Sequence, residues 1–341
     1  MKAVVYEDVE KLSYKEVEIL PVKSHEVRIR VKACGICGSD VHGYLGVTGR
    51  RIAPMIMGHE FCGEVVEKGA DVENLSPGVR VAVYPVDFCG ECEMCRRGDV
   101  HLCLNKRAFG VLDVDGAFAE YINVPAKCCF PIADEVSFAT ASLVEPLAVA
   151  FRGVGRAGSL EGKTVLIVGA GTIGLLALAC IRMQKPSKIL ISDLSGHRLE
   201  VAGRMGADVL LNPAQEAFSE CIMQETAGKG VDAAVEAVGA GGAVRQVMSS
   251  LKIGGSAVWI GNNSRMIEMD MQETVTRELR IQGSFLYGYQ EFETVVNMLN
   301  EGKIFVEPLI SKKISLSQTP EYFKLLAHTP GDLLKVVVVD E

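Results

Sequence analysis

Residues Val165 to Cys180 read VLIVGAGTIGLLALAC, and no other stretch limits the fold so strongly. Val165 to Val168 is a short run of branched apolar residues, the pattern of a parallel strand buried on both faces. Gly169, Gly171 and Gly174 follow as G-x-G-x-x-G, and apolar residues then continue at helical spacing through Ile173, Leu175, Leu176, Leu178 and Ile181. A strand, a glycine turn and a helix in this order form the phosphate-binding turn of a dinucleotide fold. Gly169 permits the tight turn, Gly171 lets the backbone approach a pyrophosphate, and Gly174 lets helix and strand pack closely. The helix N-terminus offers free N–H groups to the anion. A second strand, Lys188 to Ser192, ends at Asp193. A carboxylate about 20 residues after the turn is placed to grip a ribose hydroxyl pair. Asp193 also suits a helix cap before Ser195, and the two roles are compatible.

Strand and helix patterns alternate from about Arg152 onward. Further strands are expected at Val209 to Leu211, Ala233 to Ala237, Ala257 to Ile260 and Leu279 to Gln282, which together make a doubly wound parallel sheet. Before this region the texture is short strands and turns. Glu26 to Val31 alternates as a half-exposed strand should, and Val79 to Val83 follows a Ser76-Pro77-Gly78 turn. Glu145-Pro146-Leu147 opens a helix, with proline suited to its first turn. After Phe285 the pattern gives a helix at Phe292 to Leu299, an extended segment at Val306 to Ile310, a helix at Tyr322 to Leu326 and a strand at Lys335 to Val339. That tail is too small for its own core, so it is expected to pack back on the N-terminal part.

The chain of 341 residues is long enough for two domains, and at 48% hydrophobic each can bury a core. With 35 basic against 43 acidic residues the net charge is −8, which favours neither nucleic acid nor an anionic membrane surface. No apolar run reaches the roughly 18 residues of a membrane helix. Met1 leads into a strand pattern and not into a signal peptide. Eleven cysteines are an odd number, clustered, and well below the density of a disulfide scaffold. Thiolates holding metal in a reducing cytoplasm fit this usage better than disulfides.

Cys89, Cys92, Cys95 and Cys103 lie in a polar stretch with little core of its own. Four thiolates suit one tetrahedral zinc, with no open position for substrate. A ferredoxin-type cluster shares the C-x2-C-x2-C opening but continues with three residues and Cys-Pro. Here seven residues intervene and Leu104 follows Cys103. Elsewhere Cys37, His59 and Glu145, with Glu60 as a second carboxylate, offer the donors of a catalytic zinc site with an open position. Their spacing alone favours plain structural roles: a buried small cysteine, a hydrogen-bonded histidine and a helix-capping Glu145.

The cysteine lobe, Cys37-Gly38-Ser39-Asp40-Val41-His42, Gly58-His59-Glu60, Glu145-Pro146-Leu147 and the glycine turn occur in one chain. Together they resemble the zinc-dependent medium-chain alcohol dehydrogenase family, and within it the polyol branch of sorbitol, galactitol-1-phosphate and butanediol dehydrogenases. The resemblance implies an α/β architecture. A mainly-β, GroES-like catalytic domain would take residues 1–151 and 286–341, with a structural zinc lobe at 86–106. A Rossmann domain that binds NAD would take residues 152–285. It also implies catalytic zinc on Cys37, His59 and Glu145, with Glu60 able to join. Ser39 would bond the substrate hydroxyl and His42 would end a proton relay. Gly169, Gly171, Ile173, Gly174, Asp193 and Arg198 would bind the cofactor, and Ile260, Gly261, Asn262, Ser284 and Phe285 would wall its nicotinamide. Tyr44 and Leu286 would stand near substrate. Leu286 replaces an arginine of the animal sorbitol enzymes, which makes sorbitol itself a doubtful substrate. Arg50 and Arg51 precede the zinc histidine, where they either face a phosphorylated substrate or form a solvated turn. The expected partners are a small polyol or sugar phosphate and further copies of the chain, as a homodimer or homotetramer. Rival readings are a dehydrogenase of the 2,3-butanediol or L-threonine type, a zinc-free quinone or enoyl reductase, and an NAD-binding redox sensor without turnover.

Overall fold

A computed structural model describes residues 1–215 and 217–340. The chain forms two compact units, one of Met1–Glu145, Gly288–Lys303 and Ile310–Glu341, the other of Pro146–Tyr287 and Ile304–Leu309. The expected borders at 151/152 and 285/286 fall a few residues inside the second unit. The first lies within a single helix, Val144–Arg156, which carries Glu145 and Pro146 in its first turn.

The first unit is built on a seven-stranded sheet whose central strand is Glu26–Gly35. Its alternation places Val27 and Ile29 fully inside and Val31 nearly so. Glu60–Lys68 runs antiparallel along it from Val27 to Gly35, Lys335–Val339 runs antiparallel to its C-terminal end, and Tyr121–Pro125 pairs with its first half. The register sets Gly35 opposite Glu60 on one side and Val337 on the other. Three strand ends therefore meet at one corner of the sheet. Cys37 lies two residues beyond Gly35, Glu60 opens the second strand with His59 just before it, and Lys335 opens the third.

The second unit has six parallel strands in the order Val209–Leu211, Lys188–Ser192, Thr164–Val168, Val231–Glu236, Leu251–Trp259 and Arg280–Gly283. Counted along the chain this is 3-2-1-4-5-6, the dinucleotide-binding order. Leu166, Ile167, Leu190, Ile191, Ala233 and Val235 are fully buried, so these runs are apolar on both faces. The strand expected from Ala257 begins at Leu251 instead, because Gly254 and Gly255 read as a break but fall at a register shift inside the strand. Val306 to Ile310 is not one extended segment: Glu307–Leu309 is a single 3-10 turn, and the strand starts at Ile310. Pro308 disfavours continuous strand pairing there. Of the tail, Gly288–Lys303 and the chain from Ile310 onward belong to the first unit, and Ile304–Leu309 to the second. No helix among the described residues is long and apolar enough to cross a membrane.

Candidate active site

The glycine before His59 fixes how that histidine enters the corner. Gly58 has φ +100°, and a Cβ there would lie 2.9 Å from Cys34 Sγ and 3.0 Å from Phe118 N. Only glycine takes this bend without strain. On the neighbouring stretch, Cys37 caps the helix Gly38–Tyr44. The result is that one donor atom each from Cys37, His59 and Glu60 lie within 4.8 Å of one another.

That trio fits zinc by the chemistry of its donors. A thiolate, an imidazole and a carboxylate are the ordinary ligand types, and three protein ligands leave the fourth position open. The charge around His59 points the same way. Burial opposes a charged ring, but Asp40 and Cys37 beside it outweigh burial and raise its pKa well above that of an ordinary histidine. A histidine ligand must be neutral, so an ion bound at His59 would displace that proton. Glu145 is buried in the first turn of its helix but lies outside the trio. Its charge, with those of Glu60 and Cys37, is among those that raise the pKa of Lys335 against the opposing effect of burial.

Two supports behind the trio went unread in the sequence. Lys335 Nζ is 2.6 and 2.9 Å from the two carboxylate oxygens of Glu60 and donates to Ile36 O at 3.0 Å. Both side chains are buried. Asp40 is fully buried, and its Oδ1 lies 3.3 Å from His59 Nδ1, the carboxylate–histidine arrangement that orients a metal ligand. Burial pushes the Asp40 carboxyl up, but His59 and Arg51 overcome it and hold the pKa at about 2. Arg51, expected on a solvated turn or facing a phosphate, instead points inward to Asp40. The signal available for Asp40 was its position three residues after Cys37 at a helix start. Lys335 read only as the polar boundary of an apolar strand.

Ser39 is exposed on the same helix, its Oγ 3.3 Å from Cys37 Sγ. His42 follows one turn later, so the two share a face. Tyr44 is engaged elsewhere. Its hydroxyl donates to Glu10 O at 3.1 Å and its ring packs edge-on against Phe323, so its placement lends no support to a substrate role.

The four-cysteine lobe is closed. Cys89 Sγ is 3.9 Å from Cys95 Sγ, Cys92 Sγ 3.8 Å from Cys103 Sγ, and Cys103 Sγ 3.5 Å from Cys89 Sγ. Four sulfurs about 2.3 Å from one zinc stand about 3.8 Å apart. The Leu104 and Cys95 amides bring the Cys92 thiol down to about 6, which favours the thiolate. Leu102 and Leu104 are exposed, in keeping with a lobe that lacks a core. Cys103→Ser is expected to remove one zinc and about 2 kcal/mol or more, lowering Tm by about 4–8 °C in differential scanning calorimetry. An unchanged Tm and metal content would count against a structural ion.

In the second unit the cofactor candidates gather at the C-terminal edge of the parallel sheet, where such folds bind ligands. Gly169 has φ +100°, and a Cβ on Gly174 would fall 1.7 Å from Gly169 O, so both glycines are required. Gly171 caps the helix Thr172–Met183, which carries Ile173 in its first turn. Asp193 Oδ2 accepts the Ala170 N–H at 2.7 Å and Oδ1 accepts the Ser195 N–H at 2.9 Å. The cap of the following helix is Ser195, not Asp193. Arg198 Nη1 is 3.9 Å from Asp193 Oδ2. Ile260, Gly261 and Asn262 follow one strand and Ser284, Phe285 and Leu286 the next, tied by Ser284 N–H donating to Trp259 O.

Residues 23–134 match the alcohol dehydrogenase GroES-like domain, and residues 172–301 match the zinc-binding dehydrogenase domain. The sorbitol dehydrogenase of Bacillus subtilis (strain 168) is 32% identical over 342 residues, covering 99% of this chain and 97% of that protein. This chain belongs to the zinc-binding dehydrogenases. The L-threonine 3-dehydrogenase of Pyrococcus horikoshii is 36% identical over 317 residues, 91% of this dehydrogenase and 90% of that one. A zinc-binding dehydrogenase from Sinorhizobium meliloti 1021 bound to NADP superposes with a TM-score of 0.93 at 33% identity, covering 99% of both chains. An alcohol dehydrogenase from Escherichia coli CFT073 complexed with NADH gives 0.93 at 31% identity, covering 100% of this chain and 99% of that one. The protein is thus an oxidoreductase of the polyol dehydrogenase branch, using zinc and a nicotinamide dinucleotide.

Proposed function

We propose that this dehydrogenase moves a hydride between NAD and a secondary hydroxyl of a polyol, sugar alcohol or sugar-alcohol phosphate, giving the ketose. The observation that carries this reading is the convergence of Cys37, His59 and Glu60 beside the exposed Ser39 hydroxyl. Cys37, His59 and one or both of Glu60 and Glu145 would hold the zinc. When bound, zinc supplies Lewis-acid polarisation of the substrate hydroxyl and lowers its pKa. Ser39 accepts the proton that the hydroxyl releases, and His42, one helical turn on, passes it outward. Lys335 holds both carboxylate oxygens of Glu60, and Asp40 keeps the His59 ring oriented. Likeness to the Bacillus sorbitol enzyme supports a polyol; likeness to the Pyrococcus enzyme supports L-threonine as the second reading.

A panel of hexitols, pentitols, their phosphates, 2,3-butanediol and L-threonine, assayed with NAD at the NADH absorbance band, tests the assignment. Reduction with a polyol and not with threonine is expected. No reduction with any of them would leave the redox-sensor reading standing.

Asp193 supports NAD over NADP, because its carboxylate suits ribose hydroxyls and repels a 2′-phosphate. Asp193→Ala is expected to cost about 10- to 100-fold in kcat/KM for NAD, the worth of a hydrogen bond to a charged group. The NAD-to-NADP ratio should narrow with it; an unchanged ratio would take Asp193 out of the cofactor site. Assembly into a homodimer or homotetramer is supported by the sheet edge. Arg280–Gly283 pairs on one side only, and Ile253, Met271 and Val275 stand exposed in the same unit. A cytoplasmic location is supported by the cysteines, none of which is joined in a disulfide among the described residues.

A further inference from the structure

Arg51 is a long cationic side chain that the structure has drawn into the interior. Only 3% of it is exposed, beside an Asp40 that is not exposed at all. The space for it is provided by Gly43, where a Cβ would come within 2.4 Å of Arg51 Cγ. Its Nη2 donates to Asp40 Oδ1 at 2.7 Å and reaches Ser39 Oγ at 3.5 Å, and Nη1 donates to Arg50 O at 3.1 Å. Asp40 in turn meets two members of the trio. Its Oδ2 accepts the Cys37 N–H at 3.3 Å, and Oδ1 lies 3.3 Å from His59 Nδ1. A carboxylate buried this deeply keeps one position only when a counter-charge fixes it. The planar guanidinium fork supplies that counter-charge with direction, which a lysine cannot.

We propose that Arg51 is a positioning residue for the zinc ligands: it locks Asp40 between the Cys37 amide and the His59 ring, so that thiolate and imidazole are set before an ion arrives. The inference rests on the zinc reading above and assigns Arg51 no contact with substrate. Groups behind a ligand typically change metal affinity by about 10–100-fold when removed.

The test uses the full chain, stripped of metal and titrated with zinc against a chromophoric chelator, and separately loaded with cobalt to record the visible absorption of the Cys37–His59 site. Wild type should bind two ions per chain. Arg51→Met should bind the site at Cys37 and His59 about 10–100-fold more weakly, with an altered cobalt spectrum, while the four-cysteine site keeps its affinity. Arg51→Lys, which keeps the charge and loses the fork, should fall between the two and fold if Arg51→Met does not. Equal zinc affinity and an unchanged cobalt spectrum in the folded variants would overturn the proposal alone. A wild-type chain that binds only at the four cysteines would instead overturn the zinc reading, and the proposal with it.

Discussion

Cys37→Ser is expected to lower NAD-linked alcohol oxidation by about 10³-fold or more, because Lewis-acid polarisation supplies several kcal/mol and each ~1.4 kcal/mol is tenfold. The substitution removes the only thiolate of the trio and leaves a weak hydroxyl donor in its place. Cys37 caps a short helix at a sheet corner and is not a core side chain, so the variant should fold with a near-native circular dichroism spectrum. The four-cysteine site, built from a separate stretch of chain, should keep its ion. Steady-state kinetics on the best substrate of the panel checks the effect. Activity within a few-fold of wild type would contradict a zinc site at Cys37.

Lys335→Met should give the largest loss of stability. It leaves the Glu60 carboxylate buried without the cation that now meets both of its oxygens. Breaking a buried pair at one partner costs about 3–5 kcal/mol. For a unit of this size that lowers Tm by about 10 °C. Pairing it with Glu60→Gln should restore much of the loss, since no unpaired buried charge remains. Calorimetry on the three variants forms the cycle. Additive losses in the double variant would show that Lys335 and Glu60 do not depend on each other.

The parallel-sheet unit was the most legible part of the sequence, because its order is written locally. Its strands Lys188–Ser192 and Val209–Leu211 have the limits their sequences implied, as does Lys335–Val339 in the first unit. Helix ends were less legible. Thr319–His328 extends beyond Tyr322 to Leu326 because Pro320 suits a helix start and the polar flank still winds. Among the site residues, the donors Cys37, His59 and Glu60 could be named from motif and residue type. Their supports could not. Lys335 lies 275 residues from Glu60, and nothing in a local window says that a lysine at the head of an apolar strand turns inward. Arg51 reads as a solvated loop cation until the fold places Gly43 beneath its stem and Asp40 at its tip. Buried charge is specified by a distant partner, and that is the information that pattern and propensity lack.

Metal content per chain tests the central claim most directly. Inductively coupled plasma mass spectrometry on the purified full chain, its Cys37→Ser variant and its Cys103→Ser variant should give two zinc ions, then one, then one. Zinc that stays at two in Cys37→Ser, or a fully active wild-type chain that holds a single ion, would contradict the account.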